Sequence, residues 1–67
     1  MNQKELEIAI LRSGKKKDDV IKESGISKKS FYAKIKGKVE FKQSEMAALV
    51  SVLGLSKDDI IRIFFTD

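Results

Sequence analysis

The sequence predicts one all-α domain of five short helices with no sheet, covering residues 1–67. Two observations favour this fold class. Four glycines each follow an apolar-periodic segment, where a residue with positive φ commonly ends a helix: Gly14, Gly25, Gly37 and Gly54. The most regular helical stripe has apolar residues at i, i+3, i+4 and i+7: Met46, Leu49, Val50 and Leu53. A chain of 67 residues has room for one small core.

The first two helices are predicted from Asn2 to Ser13 and from about Lys17 to Ser24. A side-chain oxygen at Asn2 suits an N-cap, because it accepts from the backbone N–H groups of the first turn. The inward face of the first helix is expected to comprise Leu6, Ala9, Ile10 and Ser13, widened by Ile8 and Leu11. The inward residues of the second helix are expected to be Val20 and Ile21.

The third helix is predicted from about Lys28 to Lys36, and Ser27 is its expected N-cap. Phe31 and Ile35 are four residues apart, so they share one side of this helix. We expect that side to dock on the rest of the domain. The other sides then remain available for a partner.

A linker at 38–42 leads to a fourth helix from about Gln43 to Leu53. The fifth helix is predicted to begin at Ser56, with Asp59 in a capping-box-like arrangement. Its apolar residues are Ile60, Ile61, Ile63, Phe64 and Phe65. This β-branched run also suits a strand, but the capping signal favours a helix and a single strand would have nothing to pair with.

Composition restricts the chemistry that this chain can perform. It has no Cys and no His, so it lacks thiolate ligands, the commonest metal ligand and the commonest general base. No nucleophile–base pair is evident, so we expect neither an enzyme nor a bound cofactor, metal or small-molecule ligand. No apolar stretch has the length of a membrane span and no secretory signal is evident, so we expect a cytoplasmic protein without membrane contact.

Positive charge is concentrated in the middle of the chain. The net charge is +4, but residues 15–42 carry ten lysines against four carboxylates. A localised basic surface is typical of a protein that binds a polyanion. The alternative is that these lysines only keep a small protein soluble.

The lysine-rich segment also contains the pattern of a helix–turn–helix at residues 17–36. Gly25 suits the tight turn, and Ser27 starts the next helix directly after it. The second helix of such a motif enters the DNA major groove and presents its N-terminal residues to the bases. The side chains expected on its free faces are Lys28, Lys29, Tyr32, Ala33 and Lys34.

Lysines on both sides of this pattern suit contacts with DNA phosphates. They are Lys15, Lys16, Lys17, Lys36, Lys38 and Lys42. The hydroxyl of Tyr32 would also reach a phosphate from an exposed position. The alternative for Tyr32 is that its ring covers the edge of the core beside Phe31.

Several of these residues resemble the lambda-repressor/Cro-type helix–turn–helix family, also called the xenobiotic-response-element type, and especially its small prophage and mobile-element regulators. The residues that carry the resemblance are Gly14, Val20, Gly25, Ile26, Ser27, Phe31, Tyr32, Ile35, Gly37, Lys38, Leu53, Gly54, Leu55 and Ser56. Three positions depart from the family pattern: Lys17 stands where Gln is common, Ile21 where Ala is usual and Ser24 where an apolar residue is usual.

The resemblance implies a transcriptional regulator that binds double-stranded DNA sequence-specifically, usually as a dimer on a two-fold operator. It implies base contacts from Lys28, Lys29, Ser30, Ala33 and Lys34. The apolar residues of the fifth helix are too many to face one small core, so we expect them to form a homodimer interface. Three alternatives remain: this helix packs on the first helix of its own chain, the domain is a protein-interaction module such as an antirepressor or adaptor, or it binds RNA. RNA binding through stacking would want several exposed aromatic residues, and Tyr32 is the single candidate.

Overall fold

The computed structural model describes residues 1–66 and confirms an all-helical fold. Within these residues there are five helices and no strand. The helices are α1 (Gln3–Ser13), α2 (Lys17–Ser24), α3 (Lys28–Ile35), α4 (Gln43–Leu53) and α5 (Lys57–Phe64). Each boundary lies within one or two residues of the prediction, because the capping signals that define it are local in sequence.

The helix ends have the chemistry that the sequence indicates. Asn2, Ser27 and Ser56 each accept a hydrogen bond from the backbone N–H three residues later. All four glycines have positive φ, between 63° and 80°. A residue with a Cβ is strained at positive φ. Glycine is not, so it ends these helices at the lowest conformational cost.

Serine side chains bind backbone groups at the C-terminal ends of both α1 and α2. The hydroxyl of Ser24 donates to the carbonyl of Ile21 at 2.7 Å and accepts from the N–H of Ile26 at 3.3 Å. Ser13 makes the equivalent pair of bonds at the end of α1. The hydroxyl of Ser24 therefore bridges the turn between α2 and α3, which an apolar side chain at this position could not do.

Helices α1 and α5 lie side by side and run in opposite directions. The N–H of Asn2 donates to the carbonyl of Ile63 at 2.6 Å, which joins the start of α1 to the end of α5. Arg12, near the end of α1, lies 3.9 Å from Asp59 in the first turn of α5. The fifth helix thus packs on the first helix of its own chain, which is one of the alternatives that the sequence left open.

This packing corrects the expectation that all five apolar residues of α5 are available to a second chain. Ile63 is 2% exposed and belongs to the core, so it cannot form a dimer interface. Phe64 is half-buried and packs against the core. Only Ile61 and Phe65 are largely exposed, while Ile60 is half-buried.

The core contains buried apolar residues from every helix. They are Leu6, Ile10, Val20, Ile21, Ile26, Phe31, Ile35, Phe41, Leu49 and Ile63. Two details of the predicted helix faces are wrong: Leu11 is 80% exposed rather than inward, and Val52 packs against the core together with Met46 and Leu53. The crossing of neighbouring helices decides which edge of a broad apolar stripe is covered, and helical spacing does not contain that information.

Three aromatic rings form a row through the core. Phe31 of α3 meets Phe41, and Phe41 meets Phe64 of α5, with ring centroids 6.1 Å apart at each step. The rings are at 69° and 82° to each other, which is the edge-to-face geometry that aromatic pairs prefer. This row connects α3 to α5 through the segment between α3 and α4.

Within residues 1–66, no helix is long and apolar enough to cross a membrane.

We expect Phe31→Ala to lower the free energy of unfolding by about 3–5 kcal/mol, because it removes a fully buried ring and leaves a cavity. Urea unfolding followed by circular dichroism measures this. Val39→Ala is the control, since Val39 is 53% exposed and its truncation should cost less than about 0.5 kcal/mol. Equal stability of the two variants would show that Phe31 does not anchor α3.

Candidate nucleic-acid interface

The connection between α2 and α3 is a tight turn of three residues. Gly25 follows α2 with φ of 76°, Ile26 is buried, and Ser27 caps α3. The side chain of Ile26 attaches the turn to the core, so the start of α3 is held in place relative to α2. Because of this attachment, Lys28 and Lys29 in the first turn of α3 extend from a rigid support.

One side of α3 is buried and the other carries polar residues. Phe31 and Ile35 are 0% and 2% exposed and face the core as predicted. Lys28 and Lys29 are exposed, while Ser30 and Ala33 are half-buried. Four of the five residues predicted to contact bases therefore retain some accessible surface at the N-terminal end or the outer side of α3.

Lys34 is the exception, and its predicted position on a free face is wrong. Its side chain is buried, and its ammonium lies 2.5 and 2.6 Å from the two carboxylate oxygens of Glu45 on α4. The same carboxylate accepts a hydrogen bond from the backbone N–H of Lys42 at 2.8 Å. Lys34 thus fastens α3 to α4 and is not available to a base edge.

The bonds around Glu45 also change its titration. The hydrogen bond from Lys34 is the main cause that holds the pKa of the Glu45 carboxyl below its ordinary value, and the Lys42 N–H lowers it further. A lowered pKa means that the folded state prefers the ionised carboxylate. The stabilisation is complete above the ordinary pKa near 4.5 and is lost as the pH falls through the lowered value.

Three further lysines of the predicted interface form ion pairs. Lys15 lies 2.8 Å from Glu23, Lys17 lies 2.8 Å from Glu7, and Lys28 lies 3.5 Å from Asp18. The partners are 8 to 10 residues apart in sequence, too far for a local signal. Sequence reasoning therefore missed all three carboxylates.

The pair of Lys17 and Glu7 differs from the other two because it is partly buried. The ammonium of Lys17 also lies 5.8 Å from the centre of the Tyr32 ring, within the range of a cation–π contact. Lys17 therefore contacts α1 through Glu7 and α3 through Tyr32. Lys17 thus links the three N-terminal helices. Its ammonium, which was predicted to meet a phosphate, is already paired with Glu7.

The ring of Tyr32 lies at the edge of the core, which is one of the two positions that the sequence left open. Its ring packs at 87° against Phe31, with centroids 6.0 Å apart, and covers the edge of the core. The residue remains half-buried rather than fully enclosed.

The remaining lysines of the predicted interface are exposed, and within residues 1–66 none of them has a carboxylate within 4 Å of its ammonium. They are Lys16, Lys29, Lys36, Lys38 and Lys42. These ammonium groups can approach an anion without first leaving an ion pair.

The turn between α2 and α3 occurs a second time between α4 and α5. Gly25-Ile26-Ser27-Lys28 and Gly54-Leu55-Ser56-Lys57 have the same order of a positive-φ glycine, an apolar residue, a serine cap and a lysine. The following residues differ in charge, since α3 continues with Lys29-Ser30 and α5 with Asp58-Asp59.

The carboxylate of Asp59, in the first turn of α5, is hydrogen-bonded to the N-cap residue Ser56. Hydrogen bonds from the Ser56 backbone N–H and hydroxyl lower the pKa of Asp59, and nearby Arg62 and Arg12 act in the same direction. The start of α5 therefore presents negative charge, in contrast to the start of α3.

A cleft of about 400 Å³ lies beside the C-terminal end of α3. Its walls include Phe41, Met46 and Phe64, together with part of Lys34. No buried polar side-chain atom of this cleft lacks a hydrogen-bond partner among the described residues. Likewise, no group of three potential metal-ligating side chains occurs in the part of the chain that the structure describes.

No protein-family model, curated protein or solved structure matches this chain. Any functional assignment therefore rests on the geometry of the chain's own residues.

We expect Lys34→Met to lower the free energy of unfolding by about 1–3 kcal/mol at pH 7, because it leaves the Glu45 carboxylate short of its main partner. Lys36→Met is the matched control: it removes an exposed lysine two residues away and should cost less than about 0.5 kcal/mol.

Chemical denaturation at several pH values measures both effects. The difference in free energy of unfolding between the wild type and Lys34→Met should begin to shrink below about pH 4.5, where Glu45 of the unfolded chain becomes protonated. It should continue to shrink as the pH falls through the lowered pKa of Glu45 in the folded protein. If the two variants are equally stable at pH 7, the ion pair does not fasten α3.

Proposed function

We propose that this chain is a DNA-binding transcriptional regulator with a lambda-repressor/Cro-type helix–turn–helix formed by α2 and α3. The observation that carries the proposal is the charge around α3. Residues 24–39 contain five lysines and no carboxylate, and α3 is attached through its opposite, apolar side. A short helix with a docked apolar side and a basic free end suits insertion into a major groove.

In the proposed complex, the N-terminal half of α3 reads bases. Lys28 and Lys29 donate to guanine O6 and N7, Ser30 donates or accepts, and Ala33 meets a thymine methyl group. Lysine contacts resemble point charges and lack the fixed fork of arginine, so base discrimination depends on all four residues together and on DNA shape.

Four of the exposed lysines without ion-pair partners bind phosphates on both sides of α3. This set is Lys16, Lys36, Lys38 and Lys42. Lys15 and Lys17 can join it only by exchanging a carboxylate for a phosphate. Tyr32 is held by Phe31 and Lys17, and its hydroxyl adds a phosphate contact at the same edge.

A two-fold operator requires two copies of the domain, and we propose that α5 joins them. Ile61 and Phe65 supply the exposed apolar centre of the interface, and Ile60 and Phe64 add their accessible parts. A stable dimer of this kind buries about 800 Å² on each partner.

The exposed apolar residues in and directly after α5 also favour a second candidate function, a protein-interaction module such as an antirepressor or adaptor. Phe65 is 72% exposed and Ile61 is 54% exposed, and both would suit a different chain equally well. Selection of random-sequence duplexes by the purified protein separates the two functions. An enriched palindrome supports a dimeric regulator, whereas binding that is absent for every duplex supports the interaction module.

For the recognition helix, we expect Lys28→Ala and Lys29→Ala each to weaken binding to the enriched duplex by about 1–3 kcal/mol, with a smaller effect on random duplex. Lys57→Ala is the matched control, because Lys57 occupies in α5 the position that Lys28 occupies in α3. Equal losses on both duplexes would identify Lys28 and Lys29 as phosphate contacts.

For the flanking lysines, we expect Lys36→Ala and Lys38→Ala to weaken binding evenly across sequences. Each should reduce the slope of log K against log salt by about one unit, since each removes one phosphate contact. Fluorescence anisotropy over a salt series measures the slope. An unchanged slope would remove these lysines from the phosphate-contacting set.

For α5, we expect Phe65→Ser to shift sedimentation at micromolar concentration from dimer to monomer, because it removes the most exposed aromatic ring. Val39→Ser replaces an exposed apolar residue outside α5 and should leave the dimer intact. A wild-type protein that is monomeric both alone and on the enriched duplex would contradict the proposed interface.

A further inference from the structure

Two exposed carboxylates lie against lysines of the candidate interface. Asp18 in the first turn of α2 lies 3.5 Å from the ammonium of Lys28, and Glu23 lies 2.8 Å from that of Lys15. Both carboxylates are on α2, and neither belongs to the core. Their side chains are 73% and 47% exposed, so solvent and other ions reach them.

We propose that Asp18 and Glu23 compete with DNA phosphates for these lysines and thereby limit non-specific binding. This inference rests on the proposed DNA-binding function and adds two residues that weaken phosphate binding. Neither carboxylate needs to contact DNA for this effect, because each acts through the lysine with which it pairs.

The physical reason is an exchange of partners. A paired lysine must leave its carboxylate before it binds a phosphate, and the carboxylate then remains near the DNA and repels it. Non-specific complexes depend almost wholly on phosphate contacts, so they lose affinity on every such exchange. A specific complex regains part of that loss when Lys28 reaches base acceptors. Asp18 and Glu23 therefore lower the affinity of the chain for DNA phosphates.

The position of Asp18 strengthens this competition. It lies in the first turn of α2, where the partial positive charge of the helix end favours an anion. Its carboxylate therefore stands close to a helix end that also attracts a DNA phosphate. Removing the charge at Asp18 both releases Lys28 and removes a repulsive group.

The other carboxylates near the interface have a different role. One oxygen of Glu7 is buried, and the residue holds Lys17 between α1 and α3. Glu45 holds the buried Lys34. Changes at these two residues alter the fold as well as the charge, so they cannot separate competition from stability.

The chain itself contains a matched control for Asp18. Helices α2 and α5 both begin with Lys-Asp-Asp followed by two apolar residues, so Asp58 occupies in α5 the position of Asp18 in α2. Within residues 1–66, no cationic side chain lies within 4 Å of Asp58. Asp58→Asn therefore changes the net charge and the helix start in the same way without releasing a lysine.

The experiment compares Asp18→Asn, Glu23→Gln, their combination, Asp18→Glu and Asp58→Asn in the full-length chain. Binding is measured on a labelled random-sequence duplex and on the duplex enriched by selection, over a series of salt concentrations. Circular dichroism melting of each variant checks that it is folded. The charge-conserving Asp18→Glu variant keeps a carboxylate beside Lys28.

We expect Asp18→Asn and Glu23→Gln each to tighten binding to random duplex by up to about 5-fold at low salt, the upper value for an exposed ion pair. The combination should also steepen the salt dependence, since two more lysines then meet phosphates. Binding to the enriched duplex should tighten as well, because Lys15 and Lys28 leave the same carboxylates there. Asp58→Asn and Asp18→Glu should remain close to the wild type.

Equal tightening by Asp18→Asn and Asp58→Asn would overturn the inference, because net charge alone would then explain the effect. If neither the wild type nor the combined variant binds any duplex, the proposed function fails together with the inference. If the wild type binds and the combined variant is unchanged, only the inference fails.

Discussion

The row of aromatic rings from Phe31 through Phe41 to Phe64 is the contact on which the rest of the structure depends. Helix α3 has only eight residues, and a helix of that length is not stable in water by itself. Its position comes from the burial of Phe31, and the adjacent rings carry that constraint across to α5. The polar side of α3 is therefore oriented by contacts made on its opposite side.

The lysines of this chain fall into three groups with different physical roles. Lys34 is buried and fastens α3 to α4, whereas Lys15, Lys17 and Lys28 are paired with carboxylates near the surface. The others remain unpaired within the described residues. Net charge alone does not distinguish these groups, although each responds differently to an approaching anion. The strength of long-range attraction depends on the total charge, while the number of phosphate contacts depends on pairing.

The two similar turns show how one local geometry serves different surfaces. A glycine with positive φ and a serine cap redirect the chain after α2 and again after α4. After the first turn the helix continues with lysine and serine, and after the second it continues with two aspartates. An acidic start disfavours DNA at α5, and this helix instead leaves Ile61 exposed, as is Phe65 directly after it.

The sequence by itself determined the class of fold and the boundaries of the five helices, because caps and positive-φ glycines act over three or four residues. It also identified Phe31 and Ile35 as the docking side of α3. Only the tertiary structure decided that Lys34 is buried, since Glu45 is eleven residues away on another helix. The same holds for Ile63, which the packing of α1 against α5 placed in the core. Helical spacing specifies which residues share a face, and the crossing of helices decides which of those faces meet.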